Sequence, residues 1–312
     1  MKPTTAYTYR RLFGRHVKPR LGAMRAQELR SGDLDLLYGD MLAGRRHHAR
    51  SRRGLGLKPG TVAAVHAMLS GVFSRAVKRG DLSSNPCRRA SPPTAQAPET
   101  PVLSREQTRE LFAHEVVRAD PLYPMLRLMA ATGLRRGEAC GLMRDDVDLA
   151  GGTIVVRHNA VPVGDEVMIG SPKTRRSRRR ITIGADSVEL LRDHLAAQRE
   201  HRLVMGAGWR ELGLVFPGLD GRPQNPGTVS SRFKALVRAA GLPEDVTLHS
   251  LRHAHGTLCL EEGMPIHVVA ARLGHDAGTL LRVYAHAGDD SQDAAADLEQ
   301  LLRPRLRVVP GT

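Results

Sequence analysis

The sequence predicts a mainly α-helical protein of two domains, the first helical throughout and the second mostly helical with a small antiparallel three-stranded sheet. Three observations carry this expectation. Apolar residues recur at helical spacing along most of the 312 residues. One stretch rich in Pro and Ala, PCRRASPPTAQAPETP at 86–101, interrupts them without periodicity and has the composition of an extended linker. Short β-prone runs separated by Gly and Pro are confined to the region from Gly151 to Gly184. A chain of this length has room for two cores of ordinary size.

Thr4 or Thr5 is placed to cap a first helix, whose apolar positions Tyr9, Leu12, Phe13 and Val17 share a face and which Pro19 and Gly22 should end. A second stripe, Leu34, Leu37, Tyr38, Met41 and Leu42, follows Ser31 as its expected cap, and a third runs from Val62 to Val77 and stops at Gly80. Between them lies a basic loop, GRRHHARSRRGLGL. Residues 1–90 are therefore expected to form one helical domain, 91–101 a linker, 102–290 the second domain and 291–312 a tail. In the second domain, Ser104 and Gln107 make a capping box and 122–131 reads as a helix. TIVVRH, EVMIG and RRITIG follow as strands. Helical stripes at 188–195, 229–237, 248–260 and 266–273 complete it.

Composition narrows the partner. Apolar residues make up 41% and charged residues 25%, which is ordinary for a globular chain. No uninterrupted apolar run of bilayer length and no signal-peptide core is present, so the expected location is cytoplasmic and no membrane is involved. Cys87, Cys140 and Cys259 are odd in number and far apart, the pattern of reduced structural thiols. The formal charge is +15, and residues 1–95 carry 19 Lys and Arg against 5 Asp and Glu, a net +14, leaving 28 against 27 for the remainder. Concentration of the excess in one third of the chain points to a polyanion, nucleic acid first.

Three segments carry chemistry. In LHSLRHAHGTLCLEEG, His249 and Arg252 share a helix face at i, i+3 with His253 beside them. In ATGLRRGEACGL, Gly133 should end one helix and Arg135 begin the next, with Glu138 three residues on to orient it. LGHDAGTLLRVYAHAG supplies His275 and, nine residues later, Tyr284. A guanidinium binds two phosphate oxygens without losing its charge, and imidazole exchanges a proton near neutral pH, so the set suits phosphoryl transfer.

In this order the segments resemble the tyrosine recombinase, or phage integrase, family: TGLRRGE its first arginine box, HSLRH its His-x-x-Arg box, and LGHDAGTLLRVY its Leu-Gly-His box with the nucleophilic tyrosine. SPKTRRSRRRITI resembles the hairpin that carries the family's lysine, which puts Lys173 in that role. The resemblance covers residues 100–290, and 1–90 resemble the family's core-binding domain more loosely. It implies a site-specific recombinase acting on double-stranded DNA through a 3′-phosphotyrosine at Tyr284. Arg135 and Arg252 would hold the non-bridging oxygens, Lys173 would act as acid, His249 as base and His275 as a hydrogen-bond donor, with Glu138 and His253 in support. Neither a cofactor nor a metal is implied; a homotetramer on DNA and accessory DNA-bending or directionality proteins are. Two departures stand out: Ser250 occupies a position that is often acidic in the family, and the 312 residues are expected to start at the core-binding domain, without a separate arm-site-binding domain.

Two other classes compete with this reading. A metal hydrolase would draw on His249, His253, His255, His275 and His286, yet no Asp or Glu shares the His249 and His253 face. A DNA-binding protein of the same fold that has lost catalysis would usually lack one of the arginines or the tyrosine, and all are present.

Overall fold

The helical run that opens with α1 (Pro3–Leu12) continues through Pro19 and ends at Gly22, the second of the two predicted stops. It passes through a π turn, Phe13–Val17, into α2 (Lys18–Leu21). Pro19 lies in the first turn of α2, and the wide turn before it takes up the clash its ring would make with an α-helical carbonyl. The computed structural model describes residues 3–44, 56–94, 102–171 and 177–275 together with Gly278. The chain divides into two units, Met1–Glu99 and Thr100–Thr312.

In the first unit, α3 (Ser31–Ala43) is capped one residue earlier than predicted: the Arg30 N–H donates to the Asp33 carboxylate at 2.9 Å. Helix α4 (Pro59–Arg79) ends where Gly80 takes a left-handed φ of 82°. Leu34, Leu37, Tyr38 and Met41 of α3 pack on Val62, Val65, Met68, Leu69 and Phe73 of α4. By length and composition α4 is also the one helix among the described residues that qualifies to cross a membrane. Its apolar stripe, however, is used in this core. The stretch read as linker from residue 86 begins as a folded turn instead, Pro86–Arg89, because Cys87 is buried in the same core. The Asn85 side chain accepts the Cys87 N–H at 2.9 Å and donates to Ser74 Oγ at 2.9 Å. The basic loop at 45–55 and linker residues 95–101 lie outside the described residues.

The second unit opens on α5 (Arg105–Ala113), capped by the expected Ser104 and Gln107 box. Helices α6 (Glu115–Arg118), α7 (Tyr123–Thr132) and α8 (Arg136–Cys140) follow. Met125, Leu126, Leu128 and Met129 of α7 are fully buried at the centre of the core. Among the described residues five strands then divide into two sheets: β1 (Val147–Asp148), β2 (Thr153–Val156) and β5 (Arg179–Thr182) form the three-stranded antiparallel sheet, while β3 (Asn159–Val163) and β4 (Glu166–Gly170) form a separate hairpin. The sequence runs TIVVRH and RRITIG thus pair directly, Val156 opposite Arg179, and EVMIG pairs with NAVPV, which the sequence reading did not assign. Pro162 disguised that strand; a two-stranded hairpin tolerates it because each strand is an edge.

The hairpin lies on α8 at glycine-only distances. A Cβ on Gly137 would meet Asn159 Oδ1 at 2.4 Å, and one on Gly141 would meet Ala160 N at 2.8 Å. Helices α9 (Ala185–Met205), α10 (Pro226–Ala239), α11 (Leu248–Glu261) and α12 (Ile266–Leu273) follow among the described residues, with α11 packed on α7 and α12. The mainly helical fold with a small antiparallel sheet is as predicted.

Candidate functional site

Three chain turns bring the candidate residues together. At the first, Gly133 closes α7 with a left-handed φ of 65° and the backbone straightens at Arg135, the N-cap of α8. A Cβ on Gly133 would meet the Leu273 and His255 side chains at 2.4 and 3.0 Å, so glycine admits α11 and α12 to this corner. At the second, Thr247 caps α11 by accepting the His249 N–H at 3.2 Å, and buried Ser250 completes the box by accepting the Thr247 N–H at 3.0 Å. Ser250 thereby performs the N3 role that an acidic side chain would take at this position. At the third, Gly274 ends α12 with a φ of 63°, and the His275 N–H closes the turn on Ala270 O at 2.9 Å.

The arginines converge on the end of α12. Arg252, 2% exposed, donates Nη1 to Gly133 O and Nη2 to Leu273 O, each at 2.5 Å. Arg135 donates Nη2 to Gly274 O at 3.2 Å and Nη1 to Glu138 Oε1 at 2.8 Å, while its own N–H donates to Glu138 Oε2 at 2.9 Å. Glu138 is 3% exposed. Burial pushes its carboxyl up, but bonding and charge from Arg179, then from Arg135, outweigh that and hold it below the usual carboxylate range.

The histidines occupy the same positive field. The rings of His249 and His253 meet edge to face, 4.4 Å between centroids and 88° between planes. Partial desolvation, then the charges of His253, Arg252 and Arg135, push His249 down to about 4. Burial, Arg252 and Arg135 push His275 down to about 4 as well. His253 is lowered by burial and Arg252. All three are neutral above pH 6.5 without an anion, and an arriving phosphate would raise them. Beside them opens a cleft of about 560 Å³, lined by Arg135, Arg136, Asn159, Lys234, His249 and Arg252 among others. An assembly of guanidiniums and imidazoles whose nearest carboxylate is already doubly paired is built to receive an anion. No group of three or more His, Cys, Asp or Glu placed to hold a metal occurs among the described residues.

Arg135, His249, Arg252 and His275 are therefore brought together, with Glu138 and His253 adjacent. Lys173 and Tyr284 lie outside the described residues: Lys173 falls in the connection between β4 and β5, and Tyr284 follows the last described segment.

Arg179 and Arg272 are not among the residues singled out from the sequence, and His255 figures there only as a candidate metal ligand. Arg179, which lies in the run SPKTRRSRRRITI, is 9% exposed and grips Glu138 with both Nη atoms, at 3.2 and 2.8 Å. The alternation of β5 is the signal that marks it, since Arg179 shares the buried face with Ile181. His255, on the Arg252 face of α11, bonds Ala130 O through Nδ1 at 3.0 Å and accepts the Arg272 Nε hydrogen at Nε2, also at 3.0 Å. Arg272 further donates to Thr182 O and Ala131 O, both at 3.1 Å.

This pairing predicts acid sensitivity. Burial, then the Arg272 charge, push His255 from 6.5 down to about 4. The unfolded chain takes up the proton first, so the stabilisation is complete above pH 6.5 and is lost as pH falls towards 4, by at most about 3 kcal/mol. Urea unfolding at pH 7.5 and 4.5 should show the loss, and His255→Gln should reduce it; an unchanged pH slope in that variant would place the sensitivity elsewhere.

The sequence model of the phage integrase family matches residues 102–290, which hold every candidate residue. The putative prophage phiRv2 integrase of Mycobacterium tuberculosis (strain CDC 1551 / Oshkosh) is 29% identical over 95% of this chain and 73% of its own length. A tyrosine recombinase XerC-like protein of Caldanaerobacter subterraneus subsp. tengcongensis is 28% identical over 72% of this chain, and the match spans 62% of that relative's length. Among solved structures, the Tn1549 transposon integrase in complex with transposon right end DNA superposes with a TM-score of 0.76 at 22% identity, covering 97% of this chain and 95% of that one. A lambda integrase dimer bound to a core site gives 0.61 at 16% identity, over 90% of this chain and 72% of that one. With its arginine and histidine boxes folded around one anion-receptive corner, the chain belongs to the phage integrase family.

Proposed function

We propose that the protein is a site-specific DNA recombinase that cleaves and rejoins double-stranded DNA through a 3′-phosphotyrosine at Tyr284. The observation that carries this reading is the convergence of Arg135, Arg252, His249 and His275, from three separate turns, on one cationic corner beside an open cleft. In the proposed reaction the Tyr284 oxygen attacks phosphorus as His249 takes its proton. The bond to the 5′ oxygen breaks, and Lys173 supplies the proton that lets it leave. Arg135 and Arg252 meet the charge that builds on the non-bridging oxygens. The phosphotyrosyl ester conserves the bond energy, so the reverse step rejoins a strand without a nucleotide cofactor.

The concentration of positive charge in residues 1–95 supports DNA binding by the first unit, with affinity that falls steeply as salt rises. Exchange between two duplexes requires four cuts, which supports a tetramer on DNA, with accessory bending or directionality proteins as further partners and the cytoplasm as the location.

The test is a nicked duplex from the protein's own genomic neighbourhood, incubated in EDTA with the full chain. A denaturant-stable protein–DNA adduct is expected, and none from Tyr284→Phe. Binding without an adduct on any such duplex would favour a DNA-binding protein of the same fold that does not cleave.

A further inference from the structure

Three consecutive carbonyls at the end of α12 each receive a different arginine: Arg272 O accepts Arg179 Nε at 2.6 Å, Leu273 O accepts Arg252 Nη2 at 2.5 Å, and Gly274 O accepts Arg135 Nη2 at 3.2 Å. The last carbonyls of a helix have no partner within it and carry its negative dipole end, so they form a docking strip for cations. Two of the three arginines line the cleft. Arg179 does not. Its donors go to Glu138 Oε1 and Oε2, to Ser177 O at 3.1 Å and to Arg272 O.

Glu138 is thus a shared node. It binds the Arg135 backbone N–H and guanidinium on one side and both Arg179 Nη atoms on the other, with side-chain exposures of 3% for Glu138 and 5% for Arg179. Without Arg179, the carboxylate would be buried with one partner and free to follow whichever rotamer Arg135 adopts. With it, the carboxylate plane is fixed by a two-bond fork from β5, and the Arg135 guanidinium is held between two immobile acceptors, Glu138 and Gly274 O.

We propose that Arg179 is a positioning residue of the reaction: by clamping Glu138 and the end of α12 from β5, it sets the orientation in which Arg135 meets the scissile phosphate. The inference rests on the phosphotyrosine reading above. It assigns Arg179 no contact with DNA, and so predicts a defect in rate rather than in affinity.

The experiment compares wild type, Arg179→Met and Arg179→Lys in single-turnover adduct formation, with the full chain in excess over a nicked duplex. The duplex carries either an ordinary scissile phosphate or a methylphosphonate, in which one charged oxygen is replaced by a neutral methyl. On the phosphate, Arg179→Met should lose about 100-fold in rate, the scale of a misplaced catalytic group, with DNA affinity within about threefold of wild type. Arg179→Lys, which keeps the charge but not the fork, should recover part of that loss. On the methylphosphonate there is less charge for Arg135 to meet, so the Arg179→Met deficit relative to wild type should shrink to about fivefold or less. A merely structural role would lower both rates by the same factor, and that result overturns the proposal. So would a folded variant that cleaves at the wild-type rate, or the failure of both variants to fold, which would assign Arg179 to the fold alone. Absence of an adduct from wild type on a duplex it binds rejects the underlying reading itself, and is distinguished by that control.

Discussion

Arg252→Lys is expected to slow adduct formation by about 10²–10³-fold, the range for removing one preorganised donor from a developing oxyanion. The side chain is 2% exposed, and its fork spans the end of α7 at Gly133 O and the end of α12 at Leu273 O. Those bonds fix the plane of the guanidinium at the cleft before any substrate arrives. Lysine offers a single strongly hydrated point charge on a flexible stem, which cannot bond two carbonyls of separate helices and also face a phosphate. Single-turnover cleavage and DNA binding measured on one preparation separate the effects. A lysine variant cleaving within about fivefold of wild type would mean that Arg252 serves only to join the two helix ends.

Glu138→Ala should be among the most destabilising single changes in the second unit, at about 3–5 kcal/mol, because it leaves a buried cation with its main partner removed. Arg179 would keep Ser177 O and Arg272 O but, among the described residues, no counter-charge. For a unit of this size the loss corresponds to a fall in Tm on the order of 10 °C, which calorimetry would read directly. The carboxyl is held below its usual range in the folded chain, so its contribution is complete above about pH 4.5 and disappears as pH falls through the depressed folded value. A drop of only a degree or two would show that water replaces the carboxylate at this node.

Both predictions concern residues that the sequence had already singled out, and the reason is local. The i, i+3 spacing of His249 and Arg252 puts them on one face of any helix, and Arg135 with Glu138 forms a capping pair whatever the surroundings. The stripes of α3, α4, α7 and α11 were legible for the same reason, since amphipathic period is a property of neighbours in the chain. Errors fell where a local signal was overruled. Pro19 is carried by a π turn instead of ending its helix, and Pro162 lies in an edge strand. Cys87 draws the start of an apparent linker into a core.

The fold class, the order of the motifs and the choice of Arg135, His249, Arg252 and His275 as residues to find together follow from local pattern in the chain. Alternation along β5 puts Arg179 on the face of Ile181, but only the tertiary structure decided which acceptors meet it there, Glu138 and Arg272 O. It also decided that α12 ends in three carbonyls, each taken by a different arginine. The physical reason is desolvation. A buried guanidinium is tolerable only where acceptors meet it, and here they come from 41 residues away for Arg179 and Glu138 and 119 for Arg252 and Gly133. Such partners are set by how helices and strands pack, and spacing along the chain does not encode them.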